Sequence, residues 1–366
     1  MPTVRDILTA VDRLAPFRLA ESWDNVGLLL GDAGAEVRRV LVALDVTDAV
    51  CDEADAARAE VIVAHHPLIF QPVARLTADT PPGRLALRLA AAGRAVIAAH
   101  TNLDSADGGL CDLLARRIGV EPTEPLEAGR AERRYKIVCF VPEADLEAVA
   151  AAAFDAGAGR VGDYGETAFE VSGTGRFTPG QGAHPAEGEV GRPNRIAERR
   201  IETVAPADRL GAVVAAMARA HPYEEPVIDA YALADPPART GLGRVGPIND
   251  SRTLGDLADK VKEALRCESV HLAGNPAAPV ERAGVVTGAG GGMTSALLAA
   301  GCQAYVTGEM KYHDVQDLAA RGIGVILGGH WRTERVTMEA WATRLAEAVD
   351  ADVRMAEREA DPTAVR

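Results

Sequence analysis

The sequence predicts an α/β fold: a discontinuous α/β core with a mainly parallel sheet, interrupted by a smaller ferredoxin-like α+β domain. Three observations predict it. Through the first third of the chain, short apolar, β-branched runs alternate with helix-like stretches. That is the pattern of βαβ units with right-handed crossovers. From residue 135 the order changes to two β-α-β halves, as in ferredoxin-like domains. From residue 240 the first pattern resumes. The expected boundaries are 1–128 for the first half of the core, 129–239 for the inserted domain and 240–366 for the second half. EPTEPLEAGR and ADPPART read as linkers at the two joints.

In order along the chain, TVRDILTAVDRLA (3–15) carries apolar residues at helical spacing. RVLVALDV (39–46), EVIVA (60–64) and RAVIAA (94–99) read as strands, with helices expected at 47–59, 82–92 and 107–118. In the inserted domain, YKIVCFVP (135–142) begins a strand. A helix at 143–156, a Gly-rich loop region at 157–192, a strand near 197–204, a helix at 206–220 and a strand at 226–233 follow. The second half of the core offers strands at 283–287, 303–307 and 323–327. Helices are expected there at 253–265, 293–300, 312–321 and about 332–348.

A length of 366 residues fits two domains at roughly 150 each. Apolar residues make up 48% and charged residues 25%, enough to build a core and to exclude wholesale disorder. Lys plus Arg number 39 and Asp plus Glu 53, so the net charge is −14. Such an acidic chain is poorly suited to wrapping a nucleic-acid backbone. No run approaches 18 uninterrupted apolar residues, so no membrane span is expected. The N-terminus lacks an apolar segment followed by a small-residue cleavage site. Cys51, Cys111, Cys139, Cys267 and Cys302 are scattered and form no CxxC pair, which argues against a disulfide framework and a cysteine-based zinc site. A cytoplasmic protein is expected.

Three features could carry chemistry, each just beyond an expected core strand. His65 and His66 follow EVIVA in AHHP. Adjacent strand residues point to opposite faces, so this pair suits two metals better than one. His100 and Asp104 lie in AAHTNLDSADGG, where Asp104 or Asp107 could equally N-cap the next helix. His330 and Glu334 in GGHWRTER are at i and i+4, on one face of a helix beginning near 331, unless Glu334 simply pairs with an arginine. The carboxyl ends of strands in an open α/β sheet are where sites are built. Three imidazoles and two carboxylates suit Zn, Mn or Fe. Two such cations point to hydrolysis at a C–N or P–O centre, with room for an anionic, phosphate-bearing substrate.

Rival readings remain. GAGGGM, with Gly288, Gly290, Gly291 and Gly292, is either a turn whose glycines serve tight packing or a phosphate-binding turn at a helix start. Met293 stands where a dinucleotide fingerprint needs a small residue, although Glu309 lies at a suggestive distance. Trp23, Asp24 and Asn25 form either a packed turn or a base-stacking and supporting group. Glu309, Lys311 and His313 in TGEMKYHD are either a helix-start charge cluster or part of the same edge. HPYEEP (221–226) lies in the inserted domain and has no metal spacing.

WDNVGLLLGD, VIVAHHPLIF, AAHTNLDSADGG, YVTGEMKYHD and GHWRTER, in that order, resemble the signatures of the Nif-three-like family. Its members are also called dinuclear metal centre proteins or GTP cyclohydrolase 1 type 2 homologues. The resemblance covers essentially the whole chain. It implies two divalent ions held by His65, His66, Asp104, His330 and Glu334, and a homohexameric ring. It also implies that the insert is a PII/CutA-like module. The family name implies metal-dependent hydrolytic opening of the GTP imidazole ring. A non-catalytic metal-binding scaffold, chaperone or regulatory protein is the alternative, and a dehydrogenase working through GAGGGM is a third. The segment 173–194, rich in Gly, Pro and polar residues, reads as a surface hairpin or mobile loop, and 176–196 matches none of these motifs.

Overall fold

The computed structural model describes residues 1–129, 133–162, 164–234 and 239–363. The chain forms two compact units, Met1–Gly129 with Ala238–Arg366, and Arg130–Pro237.

The first unit begins with α1 (Val4–Leu14), β1 (Gly27–Leu30), β2 (Arg39–Ala43), α2 (Asp48–Ala57) and β3 (Val61–Ala64). Next come α3 (Pro81–Ala91), β4 (Ala95–Ala98), α4 (Thr101–Ser105), α5 (Leu110–Arg117) and β5 (Glu124–Ala128). The second unit contains β6 (Arg134–Val141), α6 (Leu146–Asp155), β7 (Ala168–Phe177), β8 (Asn194–Pro206), α7 (Leu210–Ala220) and β9 (Ile228–Ala232). The first unit then continues with β10 (Gly241–Pro247), α8 (Leu254–Leu265), β11 (His271–Ala273), β12 (Arg282–Val285) and α9 (Thr294–Ala299). It ends with β13 (Ala304–Thr307), α10 (Tyr312–Ala320), β14 (Gly324–Leu327), α11 (His330–Ala348) and β15 (Asp352–Met355). None of the described helices is long and apolar enough to cross a membrane.

The fold class is α/β, as the sequence predicts, but the core strands divide between two sheets. One has the order β1-β4-β3-β2-β15 and is parallel except for β1; the other runs β11-β14-β13-β12-β10-β5, with β12, β13 and β14 parallel. Alternate residues of each strand feed opposite faces. Val40, Val42, Val61 and Val63 pack with α1 and α11, while Leu41, Ala43, Ile62 and Ala64 pack with α2 and α3. A strand buried on both faces has to be apolar throughout, which explains the unbroken run Val61–Ala64. Helices α5 and α11 contribute to the cores of both sheets, through Leu110 and Trp341 on one side and Leu114 and Val336 on the other. They form the layer between the sheets.

Several segments differ from the sequence expectation. EPLEA, read as linker, is β5, paired antiparallel with β10 from Ala128↔Gly241 to Glu124↔Val245. The chain leaves for the second unit and returns through this pair, closed by Gly129 N–H donating to Thr240 O at 2.9 Å. Within the expected loop region 157–192, residues 168–177 are β7, which pairs antiparallel with β8 over its whole length, so the segment 173–194 is a hairpin, one of the two forms expected for it. The expected linker ADPPART falls partly on residues 235–238, outside the described residues. The second unit is a βαββαβ arrangement with strand order β7-β8-β6-β9, both helices packing on one face through Val149, Ala153, Val213 and Met217.

Candidate metal centre

The carboxyl ends of the parallel strands of both core sheets meet at one place. Paired ends Ala43↔Ala64 and Ala64↔Ala98 lead into Asp45, His65, His66 and His100. On the other sheet, Val285↔Val306 and Thr307↔Leu327 lead into Thr287, Glu309 and His330. Helix α11 starts at His330 directly after Gly329, whose φ of 90° turns the chain sharply out of the sheet. One helical turn later Glu334 lies beneath His330, with Oε1 3.1 Å from His330 Nε2.

Four imidazoles and Glu334 make up the cluster. Centroid separations are 5.0 Å for His65–His66, 5.1 Å for His65–His100, 5.5 Å for His66–His100 and 5.5 Å for His66–His330. Among the described residues, two groups of donor atoms, each within 4.8 Å of one another, could hold a metal ion: His65, His66 and His100, and His66, His330 and Glu334. His66 belongs to both. Asp104 stands beside the first group, its Oδ2 3.8 Å from His65 Nε2. It does not N-cap the following helix: it lies within α4, and its Oδ1 accepts from Thr287 Oγ1 at 2.8 Å.

Every ring is held by Nδ1. The partners are Ala99 O at 2.9 Å for His65, Asp45 Oδ1 at 2.8 Å for His66, Asp24 Oδ1 at 2.8 Å for His100 and Glu309 Oε1 at 3.0 Å for His330. A carbonyl can only accept, so His65 Nδ1 carries the proton and donates. The same tautomer at the carboxylates leaves each Nε2 free, the arrangement of metal-ligating histidines. Asp24 also accepts from Thr101 N–H at 3.0 Å and Thr101 Oγ1 at 2.5 Å. Burial opposes its ionisation, but these bonds and His100 hold its carboxyl down at about 2.

The residues fit a cation. His65 is fully buried, and its Nε2 has no hydrogen-bond partner. Glu334 is 3% exposed, and its Oε2, although 3.3 Å from His66 Nε2, also lacks a properly aligned partner. Orphaned buried polar atoms and buried carboxylates are costly without a compensating charge. Protons compensate in the metal-free protein. Burial pulls the His66 imidazole down, but Asp45 and Glu334 overcome this and raise it to about 10. Glu334, outweighing burial, raises His330 to about 9. His65 is raised on balance by Asp104 and Glu334 against its burial. The Glu334 carboxyl, although burial disfavours its charge, is held well below its usual range by His330, His65 and His66. Burial pushes the Asp104 carboxyl up.

The glycine-rich turn serves this cluster. Gly288 has φ +61°, and a Cβ there would lie 2.1 Å from Glu334 Oε1 and 3.1 Å from His330 Nε2. A Cβ at Gly290 would lie 2.2 Å from both Thr307 Oγ1 and Tyr305 OH. Close packing thus accounts for glycine at both positions. HPYEEP lies in the second unit, where Tyr223 and Glu224 line a cavity of about 670 Å³ that includes no residue of the imidazole cluster. His221 Nε2 bonds Phe140 O there at 2.9 Å.

The sequence-predicted residues His65, His66, His330 and Glu334 therefore come together, with Asp104 alongside. The ligand set read from the sequence omitted His100, and Asp45 was not singled out. Both stand at the same kind of position as His65, just past a parallel strand, and that placement is the signal that finds them.

The fold and this cluster define a class: a two-sheet α/β protein whose histidine and glutamate groups could hold a metal ion. The chain belongs to the Duf34/NIF3 (NGG1p interacting factor 3) family, whose sequence profile matches residues 2–362. It is similar to the GTP cyclohydrolase 1 type 2 homolog of Mycobacterium tuberculosis, 41% identical over 334 residues, covering 90% of this chain and 87% of that protein. The Bacillus subtilis protein of the same name is 37% identical over 341 residues, covering 93% and 91%. Among solved structures, a Bacillus cereus protein related to NIF3 has a TM-score of 0.79 at 36% identity, covering 100% of this chain and 99% of that one. A Staphylococcus aureus protein has a TM-score of 0.83 at 29% identity with the same coverage.

Proposed function

We propose that this chain is a dinuclear divalent-metal protein that hydrolyses GTP or a related nucleotide or phosphoester. One observation carries the reading: two donor groups share His66, and every imidazole is anchored by Nδ1 so that its Nε2 faces inward. His65, His66, Asp104, His330 and Glu334 would hold two ions, Zn, Mn or Fe, with His100 as a further donor. When bound, such ions supply Lewis acidity toward water and substrate oxygen. The chain's own residues do the rest. Asp45, Asp24 and Glu309 fix ring orientation. Asp104 and Glu334 supply negative charge where the cations sit, and the burial of His65 keeps bulk water from that side. The names of the mycobacterial and Bacillus relatives point to GTP as substrate. Ring opening there consumes water across the C8–N bonds of guanine and liberates C8 as formate.

Metal-loaded protein incubated with GTP is therefore expected to release formate. A metal-loaded sample that turns over neither GTP nor a panel of nucleotides and phosphoesters would refute catalysis. That outcome would support the second reading, a non-catalytic metal store, chaperone or regulatory scaffold. One observation favours this alternative: Asp24, Asp45 and Glu309 are each committed to an imidazole, so none of the three is free to shuttle a proton.

Two further proposals come from the family. The chain assembles as a homohexamer, to be checked by sedimentation. The second unit, whose βαββαβ order supports a PII/CutA-like reading, senses a ligand or partner.

A further inference from the structure

Two large aromatic side chains stand exposed beside the imidazole cluster. Trp23 is 57% exposed and Phe70 41%. Their rings meet edge-on at a centroid distance of 5.9 Å, and both lie against His100, at 6.2 and 6.3 Å. The backbone that carries them is pinned. Asp24, adjacent to Trp23, holds His100 and Thr101. Asn25 Nδ2 donates to Ile69 O at 2.5 Å, joining the segment that bears Trp23 to the one that bears Phe70. Exposed apolar area opposes the main driving force of folding. Two rings tied down at the base and bare at the tip, next to a group of donors aimed at a cation, are arranged to receive a flat apolar surface. A nucleobase stacks on an aromatic side chain through its π face, whatever its edge groups.

We propose that Trp23 and Phe70 form a shelf that stacks the planar ring of a nucleotide whose anionic part reaches the cluster. The inference rests on the metal-site reading and specifies what that site recognises: the ring as well as the charge.

The test uses the metal-loaded full chain, with GTP and inorganic tripolyphosphate as probes, titrated into wild type, Trp23→Ala, Trp23→Phe and Phe70→Ala. Wild type is expected to bind GTP about tenfold or more tighter than tripolyphosphate. Trp23→Ala and Phe70→Ala should lose that advantage, and Trp23→Phe should keep most of it. Metal content and tripolyphosphate affinity should not move. Equal affinity of wild type for the two probes, or unchanged GTP affinity in Trp23→Ala, overturns the shelf. So does a changed oligomeric mass in Trp23→Ala with GTP affinity intact, which assigns the surface to a second copy of this chain. Guanosine quenching of tryptophan emission reads the shelf without metal. It is expected in wild type and absent in Trp23→Phe, and its absence in wild type also overturns the proposal. Failure of the metal-site reading looks different: wild-type protein that takes up no divalent ion.

Discussion

His66 concentrates the chemistry of the centre in one ring, since it alone belongs to both donor groups. Its Nδ1 is held by Asp45 Oδ1 at 2.8 Å, which fixes the ring's orientation. Asp45→Ala is expected to weaken metal binding about 10- to 100-fold, the usual cost of losing an orienting partner. Competition against a chromogenic chelator measures it, and unchanged affinity would show that packing alone sets the ring. The raised imidazoles also fix a pH dependence. A metal binding at the cluster would have to displace protons from His66, at about 10, and His330, at about 9. Affinity should therefore climb with pH through neutrality toward 9–10, with protons released on loading into weakly buffered solution. The sign for stability is the reverse. These folded values lie above the ordinary 6.5, so the groups' contribution to the metal-free fold is complete below about 6.5 and is lost as pH rises through 9 to 10. The Tm of metal-free protein should fall across that window, and that of loaded protein should not.

Among the elements, β10 carries the most heavily committed side chain of the core. Arg244 is 1% exposed; its Nε lies 2.7 Å from Asp112 Oδ1, and its Nη1 donates to Gly241 O at 2.8 Å and Gly243 O at 2.7 Å. It thereby ties β10 to α5. Arg244→Ala leaves the buried Asp112 carboxylate with the Gly108 N–H and Thr123 Oγ1 hydrogen bonds but no compensating charge, and is expected to cost about 3–5 kcal/mol in urea unfolding. A loss below 1 kcal/mol would mean that the Gly108 and Thr123 hydrogen bonds suffice for Asp112 without the guanidinium. Legibility in the sequence followed position in the sheets. The central parallel strands announce themselves, because burial on both faces demands apolar runs. Apart from β10, whose Gly-Leu-Gly-Arg start reads as loop, the strands that went unread (β1, β5, β7, β11 and β15) are all sheet edges. Edges are exposed on one side, and polar or glycine-rich segments such as AFEVSGTGRF suffice there. The site followed the same logic. His65, His66, His330 and Glu334 stand directly after or within a turn of such runs. Asp45 hid inside the apparent strand RVLVALDV, which ends at Ala43. The fit of Gly288 against Glu334 is a tertiary contact that no local pattern encodes.

For the molecule as a whole, the candidate centre belongs to one unit and draws on both of its sheets. Its donors come from residues before 105 and after 329, outside the second unit. Replacing residues 130–239 by a short turn should therefore leave metal uptake intact, as elemental analysis of the purified deletion protein would show. A folded deletion protein without metal would mean that the second unit shapes the centre. The antiparallel pair β5–β10 makes such surgery feasible, because Ala128 and Gly241 already face each other across the ladder. The same gateway has a mechanical consequence. Tension applied through the second unit would pull the two strands apart from that open end, as a zipper is peeled. Bonds would break one at a time from Gly129–Thr240 inward, so this seam, the edge of the second core sheet, should yield at low force before the parallel strands of either sheet are sheared.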